Sequence, residues 1–107
     1  MPVPEITSQE LKRRLDAGEA LQVLDVREPW EYAIAHLAGS RHIPLQELPR
    51  RLQELDPAAE FIVMCKVGGR SRHATEFLLA QGFARVSNLA GGIDAWTRDI
   101  DPALASY

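Results

Sequence analysis

Hydrophobic and polar positions along the chain switch repeatedly between two periods. Leu21-Gln22-Val23-Leu24-Asp25-Val26, Arg41-His42-Ile43, Phe61-Ile62-Val63-Met64 and Arg85-Val86-Ser87-Asn88-Leu89 are short apolar or β-rich runs that read as strands. Helical spacing lies between them. Leu11 and Leu15 share one face, Trp30, Tyr32 and Ile34 fit a short helix, and Leu45, Leu48, Leu52 and Leu55 are spaced for an amphipathic one. Phe77 with Leu78, and Ile93 with Trp96, mark two more helices. The punctuation agrees. Thr7-Ser8-Gln9-Glu10 reads as a capping box, with Thr7 as N-cap and Glu10 reaching back. Gly18 and Gly82 are stops, Pro29 opens a helix, and Pro44 ends a strand. Pro49 is expected in the first turn of the leucine helix, and Ser71 is expected to cap the helix that follows the apolar run. Gly91-Gly92 breaks the chain before the last helix.

Strands that alternate with helices imply an α/β domain with a mostly parallel sheet flanked by helices on both faces. Phe61–Met64 is the most continuous apolar run and fits a strand covered on both faces. In such sheets ligands bind beyond the carboxyl ends of the strands, and Cys65 falls at that end of the run. The length of 107 residues suits a single domain, residues 1–107, with a core at about 5–99 and a tail at 100–107.

Composition narrows the function. Apolar residues make up 46% of the chain, enough for a small core, and the formal net charge of -3 argues against nucleic acid as a main partner. No stretch approaches the roughly 18 apolar residues of a membrane span. Met1-Pro2-Val3-Pro4-Glu5 has neither the basic nor the apolar region of a secretory signal. A lone cysteine permits no internal disulfide, so a cytoplasmic, reducing setting is the default, and a monomer is the default assembly. His36, His42 and His73 lack metal-ligand spacing, and neither a metal nor an organic cofactor is expected.

The chemistry concentrates in Met64-Cys65-Lys66-Val67-Gly68-Gly69-Arg70-Ser71, which joins a buried strand to a helix. Two glycines allow a tight turn that aims successive N–H groups inward as an anion nest, and the helix start adds its partial positive charge. Lys66, Arg70 and Arg72 lie in a stretch with no acidic residue between Glu60 and Glu76. A positive field around the only thiol is therefore expected, and with it a reactive thiolate.

This chain resembles the rhodanese family from about Ile6 to Trp96. The resemblance rests on Asp25-Val26-Arg27-Glu28 with Glu31-Tyr32, His36-Leu37-Ala38-Gly39 and Ile43-Pro44, on the Cys65–Ser71 loop, and on Leu89-Ala90-Gly91-Gly92-Ile93-Asp94-Ala95-Trp96. One departure is Ala35 before His36, where the family commonly has Gly. The resemblance implies a parallel five-stranded sheet with helices and a sulfurtransferase activity. It implies that Cys65 accepts a sulfane sulfur as a persulfide, that Lys66, Val67, Gly68, Gly69 and Arg70 form the cradle, that Ser71 finishes the loop, and that Asp25 and Arg27 support it. The loop, with the tail Asp101-Pro102 through Tyr107, also looks like the C-terminal rhodanese domain fused to some adenylyltransferases. Thiosulfate or a persulfide is the implied donor, and a cysteine desulfurase or a sulfur-carrier protein is a possible partner.

Two rivals stand beside this reading. A cysteine phosphatase also places a thiolate before a helix, but five residues separate its Cys from its Arg, and here four do, Lys66 through Gly69. A binding module or protein-to-protein relay without thiosulfate activity would use the same fold. Other residues read as structural. Asp25, Arg27 and Glu28 could rim the pocket, although Glu28 fits an ion-pair cluster better. His36 fits a turn, His73 is a minor candidate for substrate contact, and Gly91-Gly92 lacks the Gly-Lys-Ser/Thr ending of a phosphate loop. Trp30 and Trp96 fit core or rim positions, while Lys12-Arg13-Arg14 and Arg50-Arg51 fit solvated helix faces.

Overall fold

The computed structural model describes residues 3–107, so Met1 and Pro2 of the N-terminal stretch lie outside the described residues. Five strands form one sheet: β1 (Glu5–Ile6), β2 (Leu21–Asp25), β3 (Arg41–His42), β4 (Glu60–Met64) and β5 (Arg85–Leu89). Their order across the sheet is β1-β5-β4-β2-β3, and every pairing is parallel. The helices are α1 (Ser8–Asp16), α2 (Pro29–Ile34), α3 (Gly69–Ala80) and α4 (Gly92–Asp99).

Side-chain alternation along the strands divides the core into two layers. Phe61 and Val63 of β4 join Leu24, Val86 and the α3 residues Ala74 and Leu78 on one face. Ile62 and Met64 join Leu11, Val23, Leu89, Ile93 and Trp96 on the other. All four apolar residues of β4 are fully excluded from solvent, as expected of a central parallel strand.

Four local expectations need correction. Leu45–Glu54 is a 3₁₀ helix rather than an α-helix. Pro49 lies inside it, not in its first turn, and has no N–H to close an α-helical turn onto Leu45. Ser71 is not a cap, because α3 begins at Gly69 with Gly68 as its N-cap, which places Ser71 inside the first turn. At α1, Thr7 does accept from the Glu10 N–H at 3.1 Å. The Glu10 carboxylate pairs with Arg13 instead of reaching back.

The carboxyl ends of β2, β4 and β5 lie side by side, with Asp25 in register with Met64 and Val63 with Asn88. The chain after β5 turns back against the chain after β4. The Ile93 N–H donates to the Cys65 carbonyl at 2.9 Å, and the Asp94 N–H to the Lys66 carbonyl at 3.1 Å. This contact requires glycine at position 92, whose φ is +58° and where a Cβ would stand 2.3 Å from the Lys66 oxygen. Gly91-Gly92 thus serves close backbone packing. Gly92→Ala is expected to lower stability by at least about 2 kcal/mol, through positive-φ strain and backbone overlap. Urea denaturation monitored by tryptophan fluorescence measures it.

Candidate active site

Cys65 leaves β4 at the centre of the sheet and is only 1% exposed. The chain then folds back over its own sulfur. Gly68 adopts φ +113°, and this left-handed turn brings its N–H to 3.1 Å from Cys65 Sγ. Ser71 Oγ lies 3.3 Å from the same sulfur and also within hydrogen-bonding reach of Asn88 Oδ1. Its single proton serves one of these acceptors at a time. Asn88 is buried on β5 and donates to the Gly68 carbonyl at 3.2 Å, which pins the turn from below. Val67 stands at the exposed tip, Gly69 is also exposed, and Lys66 and Arg70 are half-buried.

Burial is the largest single influence on the Cys65 thiol and opposes its ionisation. The Ser71 hydroxyl and the backbone N–H groups of Ser71, Gly68 and Val67 together outweigh it, so the thiol lies below its ordinary value. Hydrogen-bond donors are therefore the main influence favouring the thiolate, and Arg70 adds a Coulombic attraction.

The expected positive field is largely cancelled by partners remote in sequence. Arg70 forms a two-pronged ion pair with Glu31, at 2.5 and 3.0 Å. Lys66 Nζ lies 3.0 Å from Asp94 and 4.5 Å from the centre of the Tyr107 ring. Arg72 reaches Glu5 at 3.2 Å. All three basic residues that the sequence groups around the cysteine are thus paired.

Asp25 and Arg27 do not rim the pocket. Both are fully buried and form an ion pair at 2.7 Å beneath the loop region. Arg27 also donates to the carbonyls of Glu31 and Ala35, and to the Tyr107 hydroxyl at 3.0 Å. Tyr107 in turn donates to Glu31 Oε2 at 2.6 Å. Glu31 is held at about 2, chiefly by Arg70, against the opposing effect of burial and with help from Tyr107 and the Glu28 N–H. Glu28 itself is the N-cap of α2 and, among the described residues, makes no ion pair.

Glu31, Asn88 and Tyr107 are the contributors that sequence reasoning did not assign. Glu31 and Tyr107 fall within segments that carry the family resemblance but have no role assigned there, and Asn88 has no local signal. His36 donates through Nδ1 to the Tyr32 carbonyl, 3.0 Å away, and stacks on the Tyr32 ring. His73 is exposed on α3. Trp96 is buried, whereas Trp30 is 61% exposed beside Tyr107. Arg14 is largely buried against Glu60, which departs from the solvated face expected there. Among the described residues no three His, Cys, Asp or Glu side chains cluster to hold a metal, and no helix is long and apolar enough to cross a membrane.

The family profile described as "Rhodanese-like domain" matches residues 7–99. The chain belongs to the rhodanese-like domain family. This rhodanese-like domain is 41% identical over 95 residues to the "Putative sulfur carrier protein YrkF" of Bacillus subtilis, covering 89% of the chain but 51% of that protein. It is 36% identical to a "Sulfurtransferase" of Allochromatium vinosum, covering 96% of each. It is 34% identical to "Adenylyltransferase and sulfurtransferase MOCS3-2" of Zea mays, covering 95% of the chain and 23% of that protein. The crystal structure of a rhodanese-like domain protein from Staphylococcus aureus superposes with a TM-score of 0.85 at 30% identity, covering 97% of the chain and 98% of that structure. The chain thus spans about half or less of some relatives and nearly all of others.

The alkylation rate of Cys65 by iodoacetamide should reach half its maximum below the ordinary thiol value of about 8.5. Ser71→Ala removes a donor to the sulfur and is expected to move that midpoint upward. The ionised Glu31 stabilises the fold fully above its ordinary value of 4.5, and this contribution disappears as pH falls toward about 2. Glu31→Gln should therefore be less stable at neutral pH and flatter between pH 4.5 and 2, as measured by denaturation across that range.

Proposed function

We propose that this rhodanese-like domain is a sulfurtransferase that carries a sulfane sulfur as a persulfide on Cys65. One observation carries the reading. The lone cysteine is buried within a turn whose N–H groups and Ser71 hydroxyl stabilise negative charge on sulfur. The names of relatives support the same chemistry, since one is called a sulfurtransferase over nearly its whole length and another a putative sulfur carrier.

With thiosulfate, the Cys65 thiolate attacks the outer sulfur. A sulfur–sulfur bond forms to Cys65, the bond to the sulfonate sulfur breaks with its electron pair, and sulfite leaves as the dianion. A persulfide anion remains. An acceptor such as cyanide then takes the outer sulfur and leaves as thiocyanate, which restores the thiolate. Lys66, Val67, Gly68, Gly69, Arg70 and Ser71 form the cradle for the transferred atom, while Asp25 and Arg27 support it through Tyr107, Glu31 and Arg70. No cofactor takes part.

A second reading is favoured by the pairing of the cations. With Lys66 held by Asp94 and Arg70 by Glu31, both loop cations attract a small dianion only weakly. A persulfide donor protein, such as a cysteine desulfurase, or a sulfur-carrier acceptor fits this arrangement better than thiosulfate does. The phosphatase alternative fits less well. Its arginine must embrace a phosphoryl group, and Arg70 is engaged by Glu31 behind a shorter loop.

Mass spectrometry after exposure to thiosulfate, or to a cysteine desulfurase with cysteine, tests the proposal. The expected result is a gain of one sulfur atom on Cys65 from at least one donor, absent in Cys65→Ser. A chain that gains no sulfur from either donor would leave only a binding role. Thiocyanate formation from thiosulfate and cyanide separates the small-donor reading from the protein relay.

A further inference from the structure

The tail after α4 returns to the site at one residue. Leu104 packs against the α1–α4 core layer and anchors the tail, Ala105 and Ser106 are exposed, and Tyr107 is again covered. The Tyr107 hydroxyl is used in both directions. It accepts from Arg27 at 3.0 Å and donates to Glu31 at 2.6 Å. Asp25, Arg27, Tyr107, Glu31 and Arg70 thus form one unbroken series of contacts, from the end of β2 to the cation of the cysteine loop. The tyrosine ring also touches the second loop cation, since Lys66 Nζ lies 4.5 Å from its centre. Trp30 meets its edge at 5.6 Å and keeps the ring in place. A single tail residue therefore contacts both the carboxylate partner of Arg70 and the Lys66 side chain itself.

We propose that Tyr107 is a positioning residue of the active loop: by bridging Arg27 to Glu31 through its hydroxyl and backing Lys66 with its ring, it fixes how Arg70 and Lys66 meet an anionic sulfur donor. This deepens the sulfur-transfer reading and rests on it for the identity of the donor. Burial and the bond to Glu31 keep the phenol protonated, so it remains a donor at neutral pH. Without the hydroxyl, Arg27 loses an acceptor, Glu31 loses a buried donor, and the Glu31 carboxylate is tied to the strand end only through the Arg27 bond to its own backbone carbonyl.

The test uses the full chain carrying Tyr107→Phe or Tyr107→Leu. Tyr107→Phe keeps the ring beside Lys66 and removes only the bridge. With thiosulfate and cyanide, its KM for thiosulfate is expected to rise about fivefold, the scale of one hydrogen bond, with kcat within about twofold. Tyr107→Leu, which also removes the ring, should raise KM further. A second measurement does not depend on turnover: the rate of Cys65 alkylation by anionic iodoacetate relative to neutral iodoacetamide. That ratio is expected to fall in both variants, because it reports the local field rather than general access to sulfur. Tyr107→Phe with an unchanged KM and an unchanged ratio would overturn the proposal. So would an equal loss toward both reagents, which marks a merely loosened fold. If the wild-type chain transfers no sulfur, the sulfurtransferase activity itself is refuted, and the alkylation ratio still decides the role of Tyr107.

Discussion

Cys65 occupies a position that by itself suppresses ionisation, because an anion taken out of water loses its solvation and gains nothing from apolar neighbours. The rest of the site answers that penalty. The turn must be tight enough to bring amide hydrogens onto the sulfur, and this requires the left-handed backbone of Gly68. The turn is also held from outside. Asn88 binds the Gly68 carbonyl from β5, and the first N–H groups of α4 bind the carbonyls of Cys65 and Lys66. The parallel order β5-β4-β2 puts these supports within reach, since it brings three carboxyl-terminal strand ends to one edge. The sheet topology is thus a condition of the sulfur chemistry, not only a scaffold beneath it.

The electrostatics follow a different logic from the local composition. Seen along the chain, the loop is a basic segment. Seen in space, its cations are neutralised by Glu31, Asp94 and Glu5, each far away in sequence. The buried Asp25–Arg27 pair is similarly complete, with Arg27 saturated by a carboxylate, two carbonyls and a phenol. Buried charges of this kind are tolerated when every donor is used, and leaving one partner unpaired costs several kcal/mol, about 3–5 by analogy with other buried pairs.

These features explain what the sequence disclosed and what it hid. Phe61–Met64 was legible because a strand covered on both faces needs an unbroken apolar run. The Cys65 loop was legible because its constraints are local: a strand end, two glycines and a helix start. The 3₁₀ helix was misread because spacings of three and four between Leu45, Leu48, Leu52 and Leu55 suit either helix type, and the position of Pro49 decided between them. Ser71 was read as a cap because hydroxyls are common there, yet Gly68 starts the helix so that the Ser71 hydroxyl can turn to sulfur. Asn88 and Tyr107 were invisible because their meaning lies in contacts 17 and 76 to 80 residues away, which no periodicity records.

The division between amides and paired cations bears on how such a site would select its ligand. Thiosulfate and the sulfite it releases are both dianions, so a loop with free cations would hold product as firmly as substrate and gain nothing in turnover. Amide donors converging on one point act differently. They reward negative charge at the Cys65 sulfur, which the thiolate carries and a departing sulfite does not. With Arg70 and Lys66 held by carboxylates, an anionic donor of the kind proposed would be oriented by their residual attraction, and the outgoing anion would not be trapped. The carboxylate partners, which at first look like a weakening of the site, therefore suit a carrier that must load and unload the same atom.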